Sequence, residues 1–228
     1  MTPPHGVAPR PVLLLDVGGV LLLPAASEVV EALEAWGASL PEVDDATLHY
    51  EAVSAFDCSG DILDYRRAYG RGLGLRGAAL QSAVSAHEVW RRPWSIAIPS
   101  AVEKLRWLVQ DGGVDVAIVS DSDGTVARQL VDTKVCQVGT GPLPAVLAVC
   151  DSTLVGATKP SRLIFDAARR AVGESRRILG HVGDSLRCDV RGAYGADLTP
   201  IHIDPLGSCP ERDHRHAAGL ADLSSGLA

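Results

Sequence analysis

The stretch VLLLDVGGVLLL, residues 12–23, decides how the chain is read. Residues 12–15 are an unbroken apolar run, the pattern of a strand buried on both faces. Asp16 follows directly, and a carboxylate at the end of a buried strand is costly unless something compensates it. Gly18 and Gly19 then free the backbone to turn sharply or to approach a ligand closely. In open α/β sheets ligands bind beyond the carboxyl ends of the strands, which makes Asp16 a candidate nucleophile or metal ligand. Taken alone, it serves equally well as a turn or capping carboxylate.

Outward from this stretch the pattern changes. Pro24 stops the strand. Val29, Val30, Leu33 and Trp36 recur at helical spacing, with Ser27 as N-cap and Gly37 as stop. Pro41 reads as the start of a second helix ending near residue 56, and 61–69 and 77–90 read as two more. No strand pattern occurs within 24–94, so this stretch is a helical insertion. Strands and helices then alternate. Ser100 and Glu103 form a capping box that opens a helix. A buried strand over 114–119 delivers Ser120 and Asp121, and a helix spans 125–131. A short strand over 146–149 leads to Asp151. Thr158-Lys-Pro-Ser161 starts a helix that Gly173 stops. A strand over 178–182 delivers Gly183-Asp-Ser185, and a helix carrying Asp189 follows. The last strand covers 200–203, and the tail from Asp204 reads as polar loop with a short helix near Leu220. Such alternation implies βαβ units, hence an α/β fold with a mostly parallel sheet. The insertion, leaving just after Asp16, overhangs the carboxyl edge of that sheet.

Composition narrows the function. The 228 residues suffice for one large domain or one domain with an insertion, and 46% hydrophobic content suits a folded protein. A net charge of -7 offers no basic surface for nucleic acid or an anionic membrane. The longest apolar stretch, 12–26, is interrupted by Asp16 and falls short of the roughly 20 residues that cross a bilayer. The start, MTPPHGVAPRP, lacks a signal-peptide core and reads as a loose tail. The five cysteines are odd in number and widely spaced, with no CxxC. They are expected to be reduced, mostly buried thiols of a cytoplasmic protein and not metal ligands.

Asp16, Ser120, Lys159 and the Asp184/Asp189 pair converge on one sheet edge. Each has a plain alternative: Ser120 and Asp184 as helix caps, Asp189 as a solvated carboxylate. Lys159, at a helix start, opposes the helix dipole, which favours a functional role. As a set they suit phosphoryl transfer. Asp16 and Asp184 are hard oxygen ligands for Mg2+, Lys159 neutralises charge, and Ser120 donates to a phosphoryl oxygen.

The order and spacing resemble the haloacid dehalogenase-like (HAD) hydrolase superfamily over residues 12–203. Asp16-Val-Gly-Gly-Val-Leu21 is similar to its first motif and Ile118-Val-Ser-Asp121 to its second. Gly156-Ala-Thr-Lys-Pro160, followed by Ile164 and Phe165, is similar to the third. Val182-Gly-Asp-Ser-Leu-Arg-Cys-Asp189, followed by Gly192 and Ala193, is similar to the fourth. The resemblance implies a Rossmann-like three-layer core over 1–23 and 95–228, with a mobile α-helical cap over 24–94. It implies Asp16 as nucleophile and Lys159 as charge stabiliser. Ser120, Asp121, Gly18 and Gly19 would contact substrate. Asp16, the backbone of Gly18, Asp184 and Asp189 would surround Mg2+. The partner is then a small phosphorylated molecule, bound by a monomer or homodimer.

One departure from the family pattern matters. Its phosphatases carry a second Asp two residues after the nucleophile for proton transfer, and here that position is Gly18. A replacement is sought in His49 and His87 of the insertion or in His181. The leading function is a magnesium-dependent phosphatase acting through an aspartyl-phosphate. The alternatives are a haloacid dehalogenase-type hydrolase, which needs no metal, and a degenerate, non-catalytic member that binds a phosphometabolite or a partner protein in a regulatory role. Asp57, Asp61, Arg66, Arg67 and Trp90 are the candidate cap contacts to substrate.

Overall fold

Strand β1 (Val12–Leu15) is the centre of the core, and all four of its residues are fully buried. Its side chains alternate between two apolar clusters, Leu13 and Leu15 in one and Val12 and Leu14 in the other. That two-sided burial is why the run is continuous rather than alternating. The computed structural model describes residues 9–91 and 94–223; the first eight residues of the expected loose tail lie outside them.

A two-residue ribbon carries the chain out of the core and back. β2 (Leu22–Leu23) leaves, and β3 (Ile96–Ala97) returns antiparallel to it, Leu22 opposite Ala97. Between them lie α1 (Ala26–Leu33), α2 (Asp45–Ser59), α3 (Ile62–Gly72) and α4 (Gly77–Ser85). Val29, Leu33, Leu48, Tyr69, Leu73 and Leu80 form an apolar cluster of these helices' own. Several helix starts differ from the sequence expectation. Ser27 does not cap α1; the Ala26 N–H donates to the distant Asp45 carboxylate at 2.6 Å. Pro41 does not open α2; Asp44 caps it by accepting from Thr47 N at 2.7 Å. The helix expected over 77–90 breaks after Ser85 into a 3-10 turn, His87–Arg91.

The core resumes with α5 (Pro99–Gln110), β4 (Asp115–Ser120) and α6 (Val126–Asp132). The capping box of Ser100 and Glu103 is not formed, because α5 begins at Pro99, whose fixed φ and missing N–H suit a first helical residue. The single strand expected over 146–149 is two. β5 (Gln137–Val138) pairs with β6 (Ala145–Val146) in a small ribbon, and β7 (Val149–Asp151) joins the main sheet. α7 (Ser152–Val155), α8 (Arg162–Val172) and β8 (Ile178–Gly183) follow. A turn of π-helix, Leu186–Val190, runs into α9 (Arg191–Gly195), and β9 (Pro200–Ile203) comes next. The tail is not all loop: β10 (Arg215–Ala217) adds a strand.

The main sheet has six parallel strands in the order β10-β9-β8-β1-β4-β7. Leu105 and Leu108 of α5 pack in the cluster on one face; Ile164 and Phe165 of α8 and Ala193 of α9 pack in the other. This is the expected three-layer α/β core with helices over its carboxyl edge. The chain order turns around β1, with β4 and β7 on one side and β8, β9 and β10 on the other, and such a switch point opens a crevice beyond the strand ends. Among the described residues no helix is long and apolar enough to cross a membrane.

Leu14 has no exposed surface and touches packed neighbours on its face of the sheet. Leu14→Ala is expected to cost about 2–5 kcal/mol in urea unfolding. Leu163→Ala, at a side chain 63% exposed on α8, is expected to stay within about 0.5 kcal/mol. Equal costs at the two sites would contradict the placement of the core.

Candidate active site

β1, β4 and β8 end side by side and deliver Asp16, Ser120 and Asp184 to one edge. Lys159 enters from the loop before α8. Its backbone N–H donates to Asp121 Oδ1 at 2.9 Å, and Ser161 caps the helix behind it. Its buried ammonium lies 2.8 Å from Asp16 Oδ1 and 2.6 Å from Asp189 Oδ1. Asp189 is held on every side: His181 Nε2 lies 2.8 Å from Oδ1, and Ser185 N donates to Oδ2 at 3.0 Å. Gly183 gives it room, since a Cβ there would run into the Asp189 carboxylate. Only a glycine therefore fits beside Asp184 in the fourth motif.

The charges respond to this crowding. Burial pushes the Asp16 carboxyl up; Lys159 opposes that, Asp189 and Asp184 reinforce it, and the result is about 8. Burial also pushes Asp189 up, but Lys159 and His181 outweigh it and hold that carboxyl below the usual range. Burial lowers Lys159, and Asp16, Asp189 and Asp121 reverse this, keeping its ammonium well above the ordinary value. Burial likewise lowers His181.

On the other side of Asp16, Asp184 Oδ2 lies 2.7 Å from His49 Nε2 of α2. His49 Nδ1 is 3.1 Å from the Tyr65 hydroxyl, and the Trp94 ring stands edge-on to the imidazole at 5.0 Å. The two glycines after Asp16 are shaped by these neighbours. A Cβ on Gly18 would sit 3.0 Å from the Trp94 ring, so a side chain there requires the indole to give way by a few tenths of an ångström. Gly19 has φ +63°, and a Cβ on it would meet both Asp184 and His49. Gly19, expected among the substrate contacts, does not line the cleft. Its N–H donates to Leu22 O at 2.9 Å and its carbonyl accepts from the Tyr50 hydroxyl at 2.6 Å.

Carboxylate oxygens of Asp16, Asp184 and Asp189 lie within 4.8 Å of one another, opposed by the one ammonium of Lys159. A buried excess of negative charge on hard oxygens fits a divalent cation such as Mg2+. Both Asp189 oxygens are engaged by Lys159, His181 and Ser185, which leaves Asp16 and Asp184 as the pair suited to hold it.

These groups face a cleft of about 530 Å³ between the sheet edge and the helices. Gly18, Ser120, Asp121 and Lys159 line it, as do His49, Tyr65, Arg66, Trp90 and Trp94. Other candidate cap contacts are occupied elsewhere. Arg67 pairs with Asp64 at 2.6 Å, and Asp61 caps α3. His87 lies 2.9 Å from the Arg66 guanidinium, outside the cleft lining. Asp57 is no substrate contact: it accepts from Ser185 Oγ at 2.7 Å, Leu186 N at 2.7 Å and Arg187 N at 3.0 Å. It therefore clasps the loop that carries Asp184. Nothing in the local sequence around Asp57, Tyr50 or Trp94 announces these roles, because each partner is distant in the chain.

No protein-family model matches the chain, and no curated protein matches its sequence. Solved structures do match. The HAD-hydrolase YfnB from Bacillus subtilis bound to magnesium is 18% identical, over 93% of this chain and 96% of that one, with a TM-score of 0.59. A HAD phosphatase from Thermococcus onnurineus is 20% identical over 92% and 94%, TM-score 0.54. L-2-haloacid dehalogenase from Xanthobacter autotrophicus is 15% identical over 93% and 96%, TM-score 0.52. The fold is that of the HAD hydrolases.

Hydrogen bonds to a charged acceptor are worth about 1.5–3 kcal/mol, so Asp57→Ala should lower stability by that order. It should also speed hydrogen exchange at the amides of Leu186 and Arg187. Unchanged protection of those amides would contradict the clasp.

Proposed function

We propose that the protein is a hydrolase, a magnesium-dependent phosphatase that works through an aspartyl-phosphate on Asp16. The observation that carries this reading is the Asp16–Lys159 contact at 2.8 Å with the Asp184 carboxylate beside it. Asp16 attacks phosphorus, the bond to the leaving oxygen breaks, and that oxygen takes a proton. Water then attacks the phosphoryl group, loses a proton, and releases phosphate and free Asp16. Lys159 balances the phosphoryl charge while Asp189 keeps its ammonium in place. Ser120 donates to a phosphoryl oxygen, and Gly18 and Asp121 form the adjoining walls. Asp16, with the backbone of Gly18, and Asp184 would hold Mg2+, with Asp189 behind them. These residues would place Mg2+ where it would act as a Lewis acid toward a phosphoryl oxygen. His49, the one imidazole lining the cleft among the described residues, takes the proton-transfer role that Gly18 cannot fill. The substrate is a small phosphorylated molecule, with Arg66 placed for a second anionic group, and the protein works in the cytoplasm as a monomer or homodimer.

A second reading rests on the same contacts. His49 holds the Asp184 carboxylate in a hydrogen bond, and Ile62, Tyr65, Trp90 and Trp94 give the cleft an apolar wall suited to a small organic halide. The solved structures with this fold include both phosphatases and dehalogenases.

A panel of phosphorylated metabolites and 2-haloacids, assayed with Mg2+ and with EDTA, separates the readings. Phosphate release that EDTA abolishes and Mg2+ restores is expected. Halide release in EDTA would establish the second reading, and binding without turnover a non-catalytic one. Asp16→Asn is nearly isosteric and should abolish turnover with the far-ultraviolet spectrum unchanged.

General acid–base catalysis contributes on the order of 10²–10⁴-fold, so His49→Gln should slow alkyl phosphate hydrolysis by that range. Aryl phosphates, whose leaving groups need less help, should lose less. A loss independent of the leaving group would assign His49 to structure alone.

A further inference from the structure

The tail holds a second cluster with metal-ligand chemistry, outside the cleft and unused by the mechanism above. Because β10 pairs with β9, His216 lies opposite His202 on adjacent strands at the sheet edge. The loop between the strands folds back over them, tied by Asp204, whose carboxylate accepts from Ser208 N at 2.9 Å and Cys209 N at 3.0 Å. This brings Cys209 Sγ and nitrogens of His202, His214 and His216 within 4.8 Å of one another. His214 Nε2 is 3.3 Å from His202 Nδ1, 2.9 Å from His216 Nε2 and 3.9 Å from Cys209 Sγ.

The hydrogen bonds on the far sides of two of these rings place a proton on the outer nitrogen. His202 Nε2 faces the backbone carbonyl of Asp184 at 3.0 Å, and a carbonyl only accepts, so Nε2 bears the hydrogen and Nδ1 is a bare lone pair. His214 Nδ1 faces Asp213 Oδ1 at 2.7 Å, which leaves His214 Nε2 bare in the same way. His216 Nδ1 leans toward Asp204 Oδ2 at 3.7 Å, turning its Nε2 inward. In those tautomers His202 Nδ1 and His214 Nε2 face each other with lone pairs at 3.3 Å, a repulsion that a cation between them relieves, and His216 Nε2 lies 2.9 Å from His214 Nε2. The outer bonds of His202 to a carbonyl and of His214 to a carboxylate are the orienting bonds that metal-bound histidines make.

We propose that His202, Cys209, His214 and His216 form a structural zinc site. Three imidazoles and one thiolate close a four-ligand set with no position left for substrate, the character of a structural and not a catalytic Zn2+. The soft sulfur selects against Mg2+, which suits the oxygens of Asp16 and Asp184. Binding releases the Cys209 thiol proton to solvent and changes no oxidation state. The ion would fasten β10 and the loop from Asp204 to the sheet edge. Through His202 it would also hold the main-chain carbonyl of Asp184, so it would sit directly behind the catalytic cleft.

The test uses the full chain, stripped with a chelator and titrated with Co2+. One Co2+ per chain should give tetrahedral d–d bands and a thiolate-to-cobalt charge-transfer band, both erased by Zn2+. Cys209→Ser should abolish the charge-transfer band, and His216→Ala, at the most exposed of the ligands, should displace the d–d bands. Asp213→Asn should weaken zinc binding by about 10-fold, the lower end of the cost of losing an orienting partner. Asp16→Asn should leave the cobalt spectrum and the zinc content unchanged, which separates this site from the catalytic one. The proposal is overturned if the wild-type cobalt complex lacks the charge-transfer band. It is equally overturned if that band survives Cys209→Ser or disappears in Asp16→Asn. The wild-type spectrum decides the matter even if a variant fails to fold.

Discussion

The structure turns on one ammonium group, that of Lys159, wedged between the carboxylates of Asp16 and Asp189. Burying three carboxylates around a single cation works against folding, because desolvation of charged groups is costly and like charges repel. The surroundings are built to tolerate it. His181 and Ser185 N occupy Asp189, His49 occupies Asp184, and Asp121 fixes the lysine's backbone. Gly19 and Gly183 leave the space these groups fill. An arrangement this expensive, at a strand-order switch point, is explained by chemistry on an anionic or charge-developing substrate better than by stability.

The helices stand over that cluster and complete it. Tyr50 of α2 donates to the loop after β1, and His49 and Asp57 of the same helix hold the loop after β8. One helix thus touches the loops after both β1 and β8. Trp94, just before the returning strand β3, closes the place next to Gly18. The glycine at that position packs against the tryptophan, and proton transfer passes to the neighbouring His49 imidazole in the proposed reaction.

How much was legible in the sequence follows from where each partner sits. The two-sided burial of β1 and the alternation of strands and helices are local signals, and they survive intact. The gathering of Asp16, Ser120, Lys159, Asp184 and Asp189 was legible because each lies at a strand or helix end. Signals that depend on distant partners were not. Asp45 caps a helix nineteen positions earlier, which no local capping rule detects. Glu103 looked like a box partner for Ser100, but Pro99 already sets the helix start. β10 is three residues long and acquires its pairing only from β9, so the tail read as loop. The same pairing assembles the His202, Cys209, His214 and His216 cluster, which spacing alone had argued against.

The central claim is that Asp16 is a nucleophile toward phosphorus, and the most direct measurement is the covalent state of that residue during turnover. Rapid acid quenching with an aryl phosphate and Mg2+, followed by intact-protein and peptide mass spectrometry, reads it. The account predicts a transient phosphoryl adduct on the peptide containing Asp16, cleaved by hydroxylamine as an acyl phosphate is. Turnover without an adduct on that peptide, or an adduct formed only from a 2-haloacid, would contradict it.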